Sequence, residues 1–218
     1  DLKSGVCSLT ETQPALYGDS VDFLGSAGGT LGNDVFSAIN LPAGVDEINY
    51  DYSELFLEDI SGHIWYDKDR DSTEDVTEVT MIAGVTVNLK DGTGTVVATT
   101  VTDANGYYEF LDFKLGTYTV EEVQPLGYAS STPDTMVVTL RRGGSVDNNF
   151  GDTLSTISGT VFSDEDVSLT ENAGDLYLSG VTITLVCTDA ASMPVTLSQV
   201  TDANGDYRFE DLKSGTCE

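Results

Sequence analysis

The sequence predicts an all-β protein built from tandem antiparallel β-sandwich modules. Three observations support this prediction: hydrophobic and polar residues alternate with a period of two, turns containing Gly and Asn recur about every ten residues, and long stretches of sequence are repeated. No stretch combines a sustained helical period with helix caps. Short strands in this arrangement are typical of sandwiches, so we expect strands throughout the chain.

The strands can be placed from their alternating residues. "GVTVNL" is predicted to bury Val85, Val87 and Leu89, and the later "GVTITLVC" is predicted to bury alternate residues from Val181 to Cys187, including Ile183 and Leu185. "DANG" at residues 103–106 predicts a tight hairpin turn that joins "VVATTVT" to "YYEF", because Asn-Gly readily adopts positive φ.

The repeats divide the chain into modules. "ISGHIWYDKD" from Ile60 matches "ISGTVFSDED" from Ile157, and "SLTETQPALYG" from Ser8 parallels "TVEEVQPLGYA" from Thr119. The opening "DLKSG" recurs at residues 211–215. We therefore expect residues 1–55 to be the C-terminal half of a first module, residues 56–154 a complete second module, and residues 155–218 the N-terminal part of a third.

The composition limits the possible partners. The 218 residues include 37 acidic and 9 basic side chains, a formal net charge of −28, while 39% of the residues are hydrophobic. That apolar content argues against disorder. With so few basic residues we expect no nucleic-acid partner, and without an apolar run of about 18 residues we expect no membrane insertion in this segment.

An acidic loop in the second module has the spacing of a calcium-binding loop. In "DKDRDSTEDVTE", loop positions one, three, five, nine and twelve are carboxylates: Asp67, Asp69, Asp71, Asp75 and Glu78. Calcium takes six to eight oxygen ligands, and a twelve-residue loop with this spacing wraps one ion. Position six is Ser72 instead of the usual Gly. The alternative is a solvated acidic loop, although five aligned carboxylates repel one another without a cation.

The third module repeats this loop with fewer carboxylates, which predicts weaker calcium binding. The residues at the same positions are Asp164, Asp166, Ser168, Asn172 and Asp175.

The ordered motifs "GVTVNL", "TDANGYYEF", "LGTYTVEEVQPLGY" and "NNFG" resemble the B-type domain of bacterial serine–aspartate repeat surface proteins, which is related to collagen-adhesin B-type domains. The resemblance implies a prealbumin-like or immunoglobulin-like sandwich that binds calcium and forms stalks. It also implies that Asp103 and Asp202, which open the "DANG" turns, approach the loops and complete the calcium shells. "ISGHIWY" and "ISGTVFS" contain no Lys, so the Lys–Asn isopeptide bond of collagen-adhesin domains is not expected.

The three cysteines fit the same resemblance. If the strands run antiparallel as in the resembled fold, Cys187 faces Cys217 and a disulfide is geometrically reasonable. Cys7 occupies the same strand position in the first module, so its partner would belong to a neighbouring module. Two explanations remain open: a covalent tandem array, or a subunit that completes the next one by β-strand addition. Arbitrary chain ends are a third.

These observations favour a structural function over catalysis. We expect a building block of an extracellular filament or surface stalk, stabilised by calcium and continued head-to-tail with other copies of itself or with adjacent repeats. The alternative is a surface adhesin that binds a ligand, for which exposed aromatic residues are candidates: Tyr17, Phe23, Tyr50 and Tyr52. His63 is the single histidine, and no nucleophile–His–acid set forms around it, so we expect no enzyme.

Overall fold

Every regular element of the structure, a computed structural model, is a β-strand within the described residues, which are 4–165, 167–172 and 174–217. With one exception at the boundary between residues 55 and 56, the strands pair within the three sequence ranges defined above. The chain is therefore all-β, and most of its strand pairs are antiparallel.

The first module contributes four strands: β1 (Gly5–Thr10), β2 (Tyr17–Asp19), β3 (Thr30–Gly32) and β4 (Val35–Leu41). β4 lies between β1 and β3 and is antiparallel to both. Its Phe36 is fully buried and packs against the rings of Tyr50 and Tyr52, at centroid distances of 5.4 and 4.6 Å.

The second module contains eight strands: β5 (Glu54–Tyr66), β6 (Thr86–Lys90), β7 (Val96–Val101), β8 (Tyr107–Lys114), β9 (Gly116–Glu122), β10 (Ala129–Ser130), β11 (Thr135–Leu140) and β12 (Phe150–Thr153). One sheet has the order β11-β9-β6-β7. The other has the order β10-β12-β5, with β8 on the far side of β5. β12 is parallel to β5, and the remaining pairs are antiparallel.

The hydrophobic core lies between these two sheets. Val85, Val87 and Leu89 are buried, as the alternation in "GVTVNL" predicts. They meet side chains from both sheets: Ile60, Ile64, Ile82, Tyr108, Phe110, Val120, Val138, Leu140 and Phe150. Burying each large apolar side chain contributes about 1.5–3 kcal/mol, so this cluster is the main source of stability in the second module.

The prediction that "DANG" closes a hairpin is wrong. The N–H of Gly106 donates to the carbonyl of Asp103, at 3.0 Å, so the turn is tight as expected. The strands beside it belong to different sheets, however: β7 pairs with β6, whereas β8 pairs with β5. The turn therefore carries the chain from one sheet of the sandwich to the other.

The third module contains seven strands: β13 (Ser155–Thr160), β14 (Phe162–Ser163), β15 (Leu176–Tyr177), β16 (Thr182–Asp189), β17 (Pro194–Val200), β18 (Asp206–Leu212) and β19 (Gly215–Cys217). β16 lies between β17 and β19, and β13 pairs with β18. Leu185 is buried, while Val181, Ile183 and Cys187 lie on the same face but are only half-buried.

The second module joins its neighbours through strands. β5 crosses the predicted boundary between residues 55 and 56: its first residues pair with β2, and the part from Leu57 to His63 pairs with β8. At the other junction, Leu154 alone separates β12 from β13. Both junctions therefore consist of strand, with no Gly/Ser or Pro tether between them.

Candidate metal centre

The acidic loop begins where β5 ends. Asp67 is fully buried, and its N–H donates a 2.8 Å hydrogen bond to the carbonyl of Asp152 in β12. The Asp67 carboxylate accepts hydrogen bonds from the N–H groups of Arg70 (2.6 Å) and Ser72 (2.9 Å). Ser72, at position six, has a φ of 64°, so it adopts the left-handed conformation for which glycine is the usual residue at this position.

Three of the predicted ligands come together in this loop. One carboxylate oxygen from each of Asp67, Asp69 and Asp71 lies within 4.8 Å of the other two. Asp69 and Asp71 are exposed, so an ion at this point would remain open to water on one side. A group of hard oxygens with room for water ligands fits calcium better than a transition metal.

Asp75 and Glu78 take other positions in the loop. Oδ1 of Asp75 accepts hydrogen bonds from both the N–H and the hydroxyl of Thr77, each 2.6 Å long. Glu78 is buried: its Oε1 accepts from the N–H of Lys68, at 2.7 Å, and its Oε2 accepts from Nε1 of Trp65, at 3.1 Å. The carboxylate of Glu78 therefore closes the loop onto the core.

The two buried carboxylates of the loop differ in acidity. Burial acts to raise the pKa of Asp67, but the Ser131 hydroxyl and the N–H groups of Ser72 and Arg70 outweigh it and hold the pKa below its ordinary value. Burial, followed by repulsion from Asp67, raises the pKa of Glu78. A cation between such groups would favour the ionised form of both.

The structure places Asp103 and Asp202 within their own turns. Oδ1 of Asp103 accepts hydrogen bonds from the N–H groups of Asn105 (2.7 Å) and Tyr107 (3.0 Å). Oδ1 of Asp202 accepts hydrogen bonds from the N–H groups of Asn204 (2.8 Å) and Asp206 (3.0 Å). Asp103 is not part of the cluster around Asp67. Both side chains stabilise the turns that pass between the sheets.

In the third module, the described residues of the loop make matching hydrogen bonds. Oδ2 of Asp164 accepts from the N–H of Leu169, at 2.8 Å, as Asp67 does from Ser72. Oδ1 of Asp175 accepts from the N–H of Glu165, at 3.2 Å, as Glu78 does from Lys68. The N–H of Ser168 donates to Asp164, and the N–H of Asn172 donates to Asp175. Asp166 lies outside the described residues.

Sequence reasoning missed two residues that position the second-module loop. The indole N–H of Trp65, in β5, donates a hydrogen bond to Glu78 and holds it in place. Arg70 extends from the loop toward the third module. Its guanidinium donates to the carbonyl of Leu154 and, at 3.4 Å, to the hydroxyl of Thr156. No sequence pattern predicts these contacts. Glu78 is distant from Trp65 along the chain, and Arg70 donates to a backbone carbonyl and to a distant hydroxyl.

The structure joins Cys187 and Cys217 in a disulfide. The two residues face each other in the antiparallel register of β16 and β19. Cys7 has a free thiol, is half-buried, and lies opposite Ile39 in the β1–β4 pair.

The aromatic candidates for ligand binding are mostly packed. The ring of Tyr17 contacts Phe56 at 5.1 Å, and Tyr50 and Tyr52 pack against Phe36. Phe23 is 56% exposed. The described part of the chain contains no helix long and apolar enough to cross a membrane.

Comparison with known proteins identifies the second module. Residues 58–140 match the family described as the SdrD B-like domain. Serine-aspartate repeat-containing protein D of Staphylococcus aureus (strain Newman) is 32% identical over 171 residues, which cover 72% of this chain but 13% of the relative. Serine-aspartate repeat-containing protein F of Staphylococcus epidermidis is 29% identical over 171 residues, 72% of this chain and 10% of the relative. The chain thus spans a small part of these relatives.

Among solved structures, the Bacillus anthracis TIE protein aligns with all of this chain and 39% of its own, at 16% identity and a TM-score of 0.39. The shaft pilin spaA from Lactobacillus rhamnosus GG aligns with 74% of this chain and 85% of its own, at 13% identity and a TM-score of 0.39. Residues 58–140 of the chain are therefore a B-type domain of the SdrD B-like family.

Proposed function

We propose that this chain is a building block of an extracellular stalk or filament in which bound calcium stiffens the connection between consecutive β-sandwich modules. The observation that carries the proposal is the position of Arg70. This residue belongs to the acidic loop of the second module, and its side chain bonds to Leu154 and Thr156, where the third module begins. A loop held rigid by calcium therefore also fixes the junction.

Other contacts support a fixed junction. The N–H of Ser214 donates a 2.8 Å hydrogen bond to the carbonyl of Gly127, and the hydroxyl of Tyr66 donates to the carboxylate of Asp211. Lys213 lies over the ring of Tyr128, with 5.3 Å between Nζ and the ring centroid. These contacts join residues 211–214 of the third module to the second module, in addition to the contacts of Arg70, and they restrain the junction.

Calcium would be held in the second module by Asp67, Asp69 and Asp71, with Asp75 and Glu78 shaping the loop. The cation would offset the repulsion among these carboxylates, and without it we expect local unfolding of residues 67–78. The described residues of the third-module loop make hydrogen bonds that match those of the second-module loop, and the loop has fewer carboxylates, so we expect weaker binding there. The predicted contributions of Asp103 and Asp202 remain part of this proposal, and they would use Oδ2 of each carboxylate, since Oδ1 accepts the N–H groups of the turn.

Neighbouring copies would continue the stalk head-to-tail, either by covalent repetition or by strand complementation. β4 pairs with β1 as β11 pairs with β9, so β4 of another copy matches the position beside β19. In that complex, Cys7 of one copy would compete with Cys217 for Cys187. Oligomers of the purified chain whose size depends on concentration would support strand complementation. A chain that stays monomeric at all concentrations would leave covalent repetition as the way in which the stalk continues.

The test of calcium stiffening compares the chain in calcium with the chain in a chelator. Small-angle X-ray scattering should give a smaller spread of conformations with calcium, and the melting temperature should rise. Calcium at about 100 times its dissociation constant stabilises the folded state by about 2.7 kcal/mol. Electron micrographs of assembled material with and without chelator would show whether straight filaments depend on the ion.

Two double variants distinguish the effect of the loop carboxylates from a general effect of removing negative charge. Asp69→Asn with Asp71→Asn should abolish the calcium response of the second module. Asp46→Asn with Asp147→Asn changes the charge equally at exposed residues and should keep that response. Identical responses of the two double variants would refute the role of the loop.

The adhesin alternative has weaker support. Of the four aromatic candidates, only Phe23 is exposed, and the others are in ring contacts within the chain. A Phe23→Ala variant that lost attachment to a surface ligand without losing filament formation would favour that alternative.

A further inference from the structure

β17 lies at the edge of its sheet in the third module. The sheet has the order β17-β16-β19, so β17 pairs with β16 on one side and with no other strand among the described residues. An edge strand presents a row of unpaired N–H and C=O groups, which can hydrogen bond to a strand of another chain. The open side of β17 is therefore a surface on which another strand can pair.

The hydrogen bonds at the two ends of β17 show which of its backbone groups face outward. The N–H of Asp189 donates to the carbonyl of Met193, and the N–H of Thr201 donates to the carbonyl of Val181, at 2.9 Å each. Odd-numbered residues of the strand therefore face β16, because the backbone groups of a strand alternate between its two sides. Three residues direct both N–H and C=O to the open side: Thr196, Ser198 and Val200.

β17 lacks the features that usually protect an edge strand. Such strands are blunted by charged side chains, by bulges or by prolines. β17 contains no charged residue, and its register with β16 is continuous from Pro194 to Val200. Pro194 has no N–H, but as the first residue of the strand it leaves the outward groups of the three later residues intact.

Other edge strands of the chain do carry protective features. β7, the strand equivalent to β17 in the second module, has a register shift opposite Leu89 and Lys90. β8 and β18 pair on one side only and contain charged side chains: Glu109, Asp112 and Lys114 in β8, and Asp206, Arg208, Glu210 and Asp211 in β18. The unprotected edge of β17 is therefore not shared by these strands.

The outer face of the same sheet is also uncharged. Its residues come from β16, β17 and β19, and all of them are exposed: Thr182, Thr184, Val186, Thr188, Pro194, Thr196, Ser198, Val200 and Thr216. The chain has a formal net charge of −28, so copies repel one another over most of their surface. At the edge of β17, two copies can approach with no carboxylate on either facing strand.

This edge is complementary to itself. When two copies of β17 pair antiparallel about a two-fold axis at Ser198, each Ser198 faces the other, and Thr196 of one copy faces Val200 of the other. The outward residues then exchange their backbone hydrogen bonds, about six in all. Cross-strand hydroxyl pairs add further hydrogen bonds on the outer face. A second copy therefore satisfies every outward group from Thr196 to Val200.

We propose that β17 pairs antiparallel with β17 of a second copy of this chain, so that two chains lie side by side with one continuous sheet. One pair of strands buries far less than the roughly 1,200 Å² of a stable interface, so the single contact is weak. Repeated contacts along assembled chains would add to one another. This inference concerns lateral contact and does not rest on the proposed function.

The test measures self-association of the full chain by sedimentation equilibrium at concentrations up to about 1 mM, where weak complexes become populated. Every sample carries Cys7→Ser, so that dimers linked through the free thiol do not contribute. We expect a reversible dimer that strengthens with salt, because salt screens the repulsion between two acidic chains. Head-to-tail complementation would instead give an open series of oligomers.

Two variants block the edge without removing a bond to β16. Ser198→Lys places like charges opposite each other at the centre of the pair, and Ser198→Pro removes the central outward N–H. Each should weaken the dimer by about tenfold or more. Thr184→Lys is the matched control. Its hydroxyl lies 3.2 Å from that of Ser198 on the same outer face, but it belongs to β16, so this variant should dimerise like the Cys7→Ser chain.

Amide hydrogen exchange measured by NMR tests the edge directly. The amides of Thr196, Ser198 and Val200 should exchange more slowly at high than at low protein concentration. The amides of Val195 and Leu197 face β16 and should not change. If Ser198→Pro does not fold by circular dichroism, Ser198→Lys, at an exposed side chain, decides the result.

Three outcomes would overturn the proposal. Equal weakening by Ser198→Lys and Thr184→Lys would assign the contact to the sheet face and not to the edge. A chain that stays monomeric at the highest concentration, with the three outward amides still exchanging fast, would leave the edge to another partner or to water. Aggregates that do not dissociate on dilution would mean that the open edge is an aggregation site and not a specific interface.

Discussion

The indole N–H of Trp65 donates a 3.1 Å hydrogen bond to Oε2 of Glu78. Trp65 lies in β5 beside the core, and Glu78 occupies the last position of the acidic loop. The bond joins the sandwich interior to the loop, so the position of the loop depends on core packing and not on its own sequence alone.

Trp65→Phe should keep an aromatic ring in place and remove the donor to Glu78. A buried oxygen of Glu78 then loses its partner, which costs about 1–3 kcal/mol in free energy of unfolding. Urea denaturation followed by circular dichroism measures the loss. Tyr107→Phe removes a hydroxyl bonded to Glu109 at 3.4 Å and should lose less than about 0.5 kcal/mol. Equal losses would mean that the indole bond contributes nothing.

Gly151→Ala should destabilise the second module by overpacking. A methyl group at Gly151 would lie 2.6 Å from Cζ2 of Trp65 and 2.7 Å from the Ser131 hydroxyl. Such clashes cost about 1–3 kcal/mol. The control is Gly92→Ala, where the nearest atom would be 4.0 Å away. Thermal melting should separate the two variants by several degrees, and coincident melting curves would contradict the packing described here.

Arg70→Ala should loosen the junction while leaving the second module folded. The side chain bonds to Leu154, Thr156 and the hydroxyl of Thr153 (3.3 Å), so its removal frees the start of the third module. Amide relaxation by NMR should show the second and third modules tumbling more independently. Arg141→Ala removes the same charge at an exposed residue and should leave the tumbling unchanged. A junction equally rigid in both variants would count against the calcium-stiffened stalk.

Replacing Cys187 and Cys217 with Ser should destabilise the third module selectively. The disulfide closes a loop with a sequence separation of 30, for which the chain-entropy estimate is about 3–4 kcal/mol. Hydrogen exchange should accelerate in β16 and stay unchanged in β6 of the second module. Cys7→Ser, which removes a free thiol, is the control. Hydrogen exchange in β16 of this variant should be as slow as in the unaltered chain. Faster exchange spread over both modules would point to one cooperative unit.

Local patterns of the sequence were sufficient for several features. Alternation identified the buried face of Val85, Val87 and Leu89, because side chains of a strand point to opposite faces with a period of two. Repetition predicted the division into modules, and carboxylate spacing singled out the loop in which Asp67, Asp69 and Asp71 meet. These features depend on residues that are near one another along the chain.

Other features required the tertiary structure, because they depend on which strands become neighbours. Nothing in the sequence of residues 103–106 indicated that this turn passes between sheets. Nor did it indicate that an oxygen of Asp103 accepts hydrogen bonds within the turn. The buried carboxylates of Glu122 and Asp152 come from β9 and β12, in opposite sheets, and no local period relates them. The sequence by itself therefore determined the strands, their buried faces and the acidic loop. Only the pairing and packing of the strands decided which distant residues become neighbours, since those contacts are made between strands and across the sandwich.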